Sequence, residues 1–337
     1  MGVPTTRLGV ALLAGLLSLA GCDLLSPTPV VVNTEPQPLD PVEEERPSPD
    51  PEGITTTLLD AGAEPRQELR YRYQMGVPER TRISVDSTVL GRDFDGSAVV
   101  FEGTHTFEAV VTPRLKKGLH LIQYDAEVPT SSTARRRTDN IAQMITEVRD
   151  EALEGGVAKG IYTDRGLQER ISPRYSRIPD RSAARAVADA WDSVGSLPVP
   201  FPVEAVGVGA RWTTENMSED VEGAEYPVVT TWTLTSFDGE RGQVTLSQSV
   251  DVKDISLKVS RLPKGTTVVL QEALSRGEGA YSFDLSRFAP TSGKLQGSGS
   301  SRYLATLPIN GEKRRKVEFQ VAVTIESVEL ADPASPE

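Results

Sequence analysis

The sequence predicts a mainly β protein, an antiparallel sheet arranged as a half-barrel or a sandwich, with one or two short amphipathic helices. Three observations predict it. Apolar and polar residues alternate at period two in run after run, as strands with one dry and one wet face require. Between the runs stand residues that supply positive φ, Asn310-Gly311 first, then Asp238-Gly239, Asp95-Gly96 and Asp164-Arg165-Gly166. Alternation on one side also favours antiparallel pairing, because parallel sheets covered on both faces show continuous apolar runs.

Taken in order, the chain opens with Arg7 and then 13 uncharged residues, Leu8 to Ala20. As a helix these span roughly 20 Å, short of the ~30 Å of a bilayer's hydrocarbon core, so residues 1–21 are expected to be a signal peptide. Leu19-Ala20-Gly21-Cys22 resembles the lipobox of bacterial lipoproteins. That resemblance implies a diacylglyceryl group on the Cys22 thiol, cleavage just before it, and an acyl chain on the new amino terminus; no other cofactor is expected. It places the protein in the bacterial cell envelope, held to a membrane by lipid. Asp23 resembles an inner-membrane retention signal of enteric bacteria, but the choice between inner and outer membrane stays open. Cys22 is the only cysteine, so no disulfide can form within the chain.

Residues 22–64 read as a disordered tether. Eight prolines from Pro27 to Pro51 surround Glu43-Glu44-Glu45, and the stretch Glu35 to Glu52 holds seven acids against one arginine. Missing donors, like charges and scarce apolar surface leave nothing to offset the entropy of ordering. Fully extended, about forty residues at ~3.1 Å each reach up to ~120 Å. Part of the formal charge of -12 therefore belongs to the tether, and the balance argues against a nucleic-acid partner.

The body is expected over 65–331, as one domain or as two related halves, about 65–175 and 200–331, joined by a helix near 182–194. Leu69, Tyr71, Tyr73 and Met75 alternate first; then Ile83, Val85 and Val89; Val99 to Val111; and Ile122 to Val128. Later come Val228 to Leu234, Val244 to Val252, Tyr281 to Leu285, and Val317 to Ile325, where parity slips at Val328 as at a bulge or strand end. Asn140 to Leu153 carries Ile141, Met144, Ile145 and Val148 at helical spacing before Gly155-Gly156, and Ser182 to Val194 carries Ala183, Val187, Trp191 and Val194.

Catalytic residues are scarce, and a non-enzymatic protein is expected. Only His105 and His120 could serve a triad, and their parity places both on apolar sides of strands. No histidine, cysteine and carboxylate cluster has metal-ligand spacing. The pairs Asp251 with Asp254 and Asp189 with Asp192 read as solvated faces. Gly297-Ser298-Gly299-Ser300-Ser301 reads as a small-residue strand or loop, where a backbone or ligand can approach closely. Basic clusters at Arg114 to Lys117, Arg135 to Arg137 and Lys313 to Lys316 suit charged hairpin tips that protect sheet edges, a tether folded back on the body, or anionic headgroups.

Two further resemblances bear on function. Phe201-Pro202-Val203-Glu204-Ala205-Val206-Gly207-Val208-Gly209-Ala210-Arg211-Trp212 is similar to a recurring phrase of β-rich bacterial envelope lipoproteins that have no assigned activity, and Leu69 to Tyr73 is similar to their first strand. More weakly, the long one-sided strands resemble lipoprotein-carrier half-barrels, whose concave sheet holds acyl chains. That resemblance implies a cavity lined by Phe101, Phe107, Met144, Ile145, Val187, Trp191, Trp232 and Phe319. The expected function is a membrane-anchored envelope lipoprotein that binds a hydrophobic ligand or a partner protein. The alternatives are a tethered interaction module without a pocket and, last, a carboxylate-dependent hydrolase.

Overall fold

The computed structural model describes residues 50–328, apart from 52, 95, 118–119, 175–186, 188–189, 192, 220–224, 258–264 and 309–310. Cys22 and the segments expected to be a signal peptide and a tether, up to residue 49, lie outside the described residues, as do Asp189, Asp192 and much of 182–194.

Twelve strands form one antiparallel sheet. In chain order they are β1 (Ile54–Asp60), β2 (Glu79–Arg92), β3 (Ala98–Lys117), β4 (Leu121–Thr138), β5 (Gly156–Thr163), β6 (Gln168–Arg174), β7 (Arg211–Glu219), β8 (Glu225–Phe237), β9 (Arg241–Leu257), β10 (Thr267–Asp284), β11 (Ser292–Leu307) and β12 (Gly311–Val328), with helix α1 (Asn140–Leu153) between β4 and β5. The spatial order β1-β7-β8-β9-β10-β11-β12-β2-β3-β4-β5-β6 joins two meanders where β12 meets β2, with Phe319 opposite Val89 and Ile325 opposite Ile83. One open sheet excludes the sandwich alternative. The turn signals hold: Gly96, Gly166, Gly239 and Gly311 all have positive φ, and the Asp238 carboxylate accepts from the backbone N–H of Glu240 and Arg241. β12 keeps its register with β2 through Val328, opposite Arg80, so no bulge interrupts it among the described residues.

Two boundaries differ from the sequence reading. Ile54–Asp60 was expected within the tether but pairs as β1 with β7. The proline run stops at Pro51, and Ile54 to Leu58 is rich in β-branched residues, which suit a pleated, half-buried surface. Conversely, Leu69 to Met75 alternates correctly without joining the ladder. Leu69, Tyr71 and Tyr73 are buried, but the segment crosses the core as extended chain, with Tyr71 N–H bonded to Asp164 O at 2.7 Å and Arg72 N–H to Leu285 O at 2.6 Å. Alternation reports which side chains are dry and says nothing of what pairs with the backbone.

Helix α1 starts where Asp139 accepts from Ala142 N–H at 2.7 Å, as an N-cap does, and gives way at Gly155, whose φ is +71°. Its buried face is Ala142, Ile145, Thr146, Arg149 and Leu153. Met144 lies outside that face and is 48% exposed, which corrects its placement in a cavity. An apolar-only reading of the helix missed that Thr146 and Arg149 occupy the dry side. Of the second helix, Val187, Ala190, Trp191 and residues 193–195 are helical, and Val187, Trp191 and Val194 are buried.

The sheet curves around its contents. Ring-to-ring steps of 6.3, 5.2, 5.0, 5.9 and 5.4 Å lead from Trp212 on β7 through Phe201, Tyr71, Tyr73 and Phe288 to Tyr124 on β4. Along the sheet the same strands are eight spacings apart at about 4.8 Å each. The aromatic path is shorter than the sheet path, so the face that carries these rings is concave. Three of the polar ends find partners inside it: Trp212 Nε1 donates to Pro200 O at 2.7 Å, Tyr71 Oη donates to Val199 O and accepts from Val199 N–H, and Tyr162 Oη donates to Gly195 O. A second, smaller core lies toward the other end of the long strands. There Tyr226, Leu270 and Tyr303 are buried, together with Asp93 and Arg315, which approach to 3.8 Å.

Candidate binding groove

The concavity that the carrier resemblance implies is filled. Phe101, Phe107, Val187, Trp191, Trp232 and Phe319 are all buried members of the main core, with Ile145 among them. Trp232 Nε1 is bonded to Thr214 Oγ1 at 3.0 Å, so even its polar atom is spent on packing. The structure brings these residues together as the sequence predicts, but as contents of the core.

Open space lies on the opposite face of the sheet. A groove of 710 Å³ crosses β8 to β12 and β2, lined by Asp86, Thr88, Thr231, Ser247, Ser249, Arg276, Glu278, Gln296, Ser298 and Gln320 among others. A second hollow of 620 Å³ continues it, adding Thr233, Thr245, Lys294 and Thr324 and sharing Thr231, Ser247, Glu278, Gln296 and Ala322. Local sequence makes the hollow. Thr231, Ser247, Ser249 and Ser298 put short side chains on this face, and long twisted strands produce a saddle. At Gly299 a Cβ would meet Phe319 Cζ at 2.5 Å and Leu274 O at 2.6 Å, so bare backbone lets the aromatic ring lie flat on the core side. The Gly297 to Ser301 run is thus a strand, one of the two readings its composition allowed.

Hydroxyl and amide groups dominate the groove, with a few charges. Arg136 grips Asp86 through both terminal nitrogens at 2.8 and 2.9 Å, which holds the Asp86 carboxyl below the usual carboxylate range, and Thr104 adds a bond at 3.0 Å. Glu278 accepts from Gln296 Nε2 at 2.8 Å. Arg276 and Lys294 form no ion pair among the described residues. Sequence reasoning flagged the small-residue run but not the groove, because a groove needs outer-face residues from six strands whose registers only the sheet supplies.

Neither histidine is set up for a triad. His105 Nε2 lies 3.1 Å from Ser131 Oγ and 3.4 Å from Asp150 Oδ1, so serine and carboxylate share one nitrogen where a triad needs two. The imidazole is buried under α1, and burial, then the nearby Arg149, pushes its pKa well below 6.5. His120 is one-third exposed and bonds Asp164 Oδ2 through Nδ1 at 2.8 Å, so it sits at a turn and is no core histidine. Asp251 is exposed on β9, and Asp254 on the same strand has φ of 57°. Of the basic clusters, Arg114 pairs with Asp125 at 2.8 Å, while Arg315 is buried. Among the described residues no group of histidine, cysteine and carboxylate could hold a metal ion, and no helix is long and apolar enough to cross a membrane.

Comparison with known proteins finds only distant structural likeness. No family profile matches the chain, so the resemblance to an envelope lipoprotein family has no support from that source. No curated protein matches either. Among solved structures, one described as lipid–protein interactions in lipovitellin overlaps 79% of this chain and 26% of its own, at 10% identity and a TM-score of 0.39. The secretin-domain β-barrel of InvG from the Salmonella SPI-1 injectisome overlaps 77% of this chain and 64% of its own, at 9% identity and a TM-score of 0.13. The Pseudomonas putida toluene transporter TodX overlaps 76% and 91%, at 9% identity and a TM-score of 0.14. This chain spans about a quarter of the lipovitellin chain.

Proposed function

We propose that this protein is a lipid-anchored, non-enzymatic binding module of the bacterial envelope that engages an envelope partner through the outer groove of its sheet. The observation that carries the reading is the contrast between the two faces. The concave face is packed with aromatic rings, while the other offers 710 Å³ of open, hydroxyl-lined space. Hydrogen-bonding groups on a rigid sheet recognise polar surface at little ordering cost. Anchoring rests on the Leu19-Ala20-Gly21-Cys22 resemblance and on the proline-rich segment that follows.

A photoreactive amino acid at Gln296, in the groove, or at Glu127, exposed on β4, tests the reading in living cells. A discrete adduct from Gln296 that is absent from Glu127 and lost on Arg276→Glu supports it. Equal labelling at both positions, or none at either, would defeat it. Cys22→Ser tests the anchor separately, and the protein should then leave the membrane fraction; retention there with lipid label intact would remove that half of the proposal.

A further inference from the structure

Hydroxyl groups on the outer face are of two kinds. Toward β2 and β3 they are spent on neighbours: Ser84 Oγ lies 3.2 Å from Thr106 Oγ1, and Thr104 donates to Asp86 at 3.0 Å. On β9, by contrast, Thr245, Ser247 and Ser249 follow one another at every second residue, all exposed, and their hydroxyls make no hydrogen bond among the described residues. Charges divide in the same way. Glu108 pairs with Arg82, Glu272 with Lys253 and Arg302, Glu318 with Lys316, and Asp86 with Arg136. Arg276, Glu278 and Lys294, all in the groove, form no ion pair among the described residues, and Glu278 accepts only from Gln296.

The register of the sheet sets the free charges beside the free hydroxyls. Arg276 stands opposite Ser249, Glu278 opposite Ser247 and Ala280 opposite Thr245, with Lys294 directly beyond Ala280 on β11. Ala280 is the one short side chain in that position, so it leaves Lys294 open toward the β9 column. Read along the strands, the three rows carry a cation, a carboxylate and a cation, each row about 6.8 Å from the next. A ligand of uniform charge is repelled at one row or at two. A ligand whose charges alternate in sign at the same step is attracted at all three.

We propose that the groove binds an extended polypeptide segment of a partner protein, lying along β9 and β10, whose side chains on one face read acid, base, acid at alternate positions. The proposal rests on the reading of the groove as the binding surface and names the chemistry of its partner. An extended chain repeats its side chains on one face every two residues, about 6.8 Å apart, which is the spacing of the three rows. The acids meet Arg276 and Lys294, the base meets Glu278, and the hydroxyls of Thr245, Ser247 and Ser249 offer donors and acceptors to the polar groups between them. The order of signs along the groove thus selects among partners, with wrong sequences rejected by like charges.

Binding of labelled synthetic peptides to the full chain carrying Cys22→Ser, followed by fluorescence anisotropy at low salt, tests it. Thr-Glu-Thr-Lys-Thr-Glu-Thr should bind about tenfold more tightly than its permutation Thr-Glu-Thr-Glu-Thr-Lys-Thr, which has the same composition and net charge, since exposed pairs contribute modestly and three of them act together. Reversing the rows with Arg276→Glu, Glu278→Lys and Lys294→Glu should invert the preference, so that Thr-Lys-Thr-Glu-Thr-Lys-Thr becomes the tighter ligand. If that triple variant fails to fold, Glu278→Lys alone decides, because it should turn the preference to Thr-Glu-Thr-Glu-Thr-Glu-Thr. Equal binding of the first two peptides, no binding of either, or a preference that these variants leave unmoved overturns the proposal. Such a result together with a discrete Gln296 adduct would leave the groove reading standing; loss of both would remove both.

Discussion

His105 shows how a single buried group ties stability to pH. Its imidazole lies under α1, beside Phe107 at 5.1 Å between centroids, and burial lowers its pKa well below 6.5. The unfolded chain thus binds a proton that the folded chain refuses. Stability is full above about pH 6.5 and falls as the pH drops below it toward the folded-state value. His105→Gln keeps a partner for Ser131 and should flatten that fall, as denaturant unfolding at pH 5 and pH 7 would reveal; an unchanged slope would assign the pH dependence to other groups. Phe201 is the other residue worth isolating, because its ring touches Tyr71, Trp212 and Phe283. Phe201→Ala should cost about 3–5 kcal/mol, the range for removing a large ring from a packed core. A loss under about 1 kcal/mol would mean that the concave face can close up and is not rigidly filled.

At the scale of elements, β1 and β11 carry the most specific expectations. The short strand β1 is held at its entrance by Asp50, whose partner Arg165 also donates to Phe201 O at 3.2 Å. Arg165 is buried, and removing one member of a buried pair typically costs about 3–5 kcal/mol, although solvent at the partly exposed Asp50 reduces this. Asp50→Ala should therefore raise hydrogen exchange in β1 first, and exchange rising uniformly across the sheet would contradict a local clasp. In β11, Gly299→Val must push Phe319 off the backbone, at an expected cost of about 1–3 kcal/mol. Most strands were legible from alternation alone, since Ile83, Phe101, Val244 and Phe319 all fall on the dry face. β1 was hidden because prolines and acids next to it set the local composition, and β5 and β6 because Gly160, Pro173 and Arg174 interrupt the pattern. Leu69 to Met75 shows the converse, a strand-like alternation without a strand.

For the whole molecule, the sequence identified which side chains are dry but not what they surround. Phe101, Val187, Trp191, Trp232 and Phe319 belong together, and one-sided strands imply a concave face. Whether that face is empty depends on Tyr71, Tyr73, Phe201 and Phe288, which come from segments between strands; the alternation of Tyr71 and Tyr73 reads as one more strand, and Phe201 and Phe288 have no periodic signal. The groove was illegible for a related reason, since Asp86, Thr231, Arg276 and Gln296 lie far apart in sequence and meet only through the ladder of β2 and β8 to β12. The account's central claim is that this sheet binds with its outer face because its inner face is full. Native mass spectrometry of the full-length protein extracted from membranes tests it most directly. The account predicts a single mass that includes the acyl groups on Cys22 and no further lipid. A stoichiometric, non-covalently bound lipid would contradict it and return the concave face to the role of a carrier.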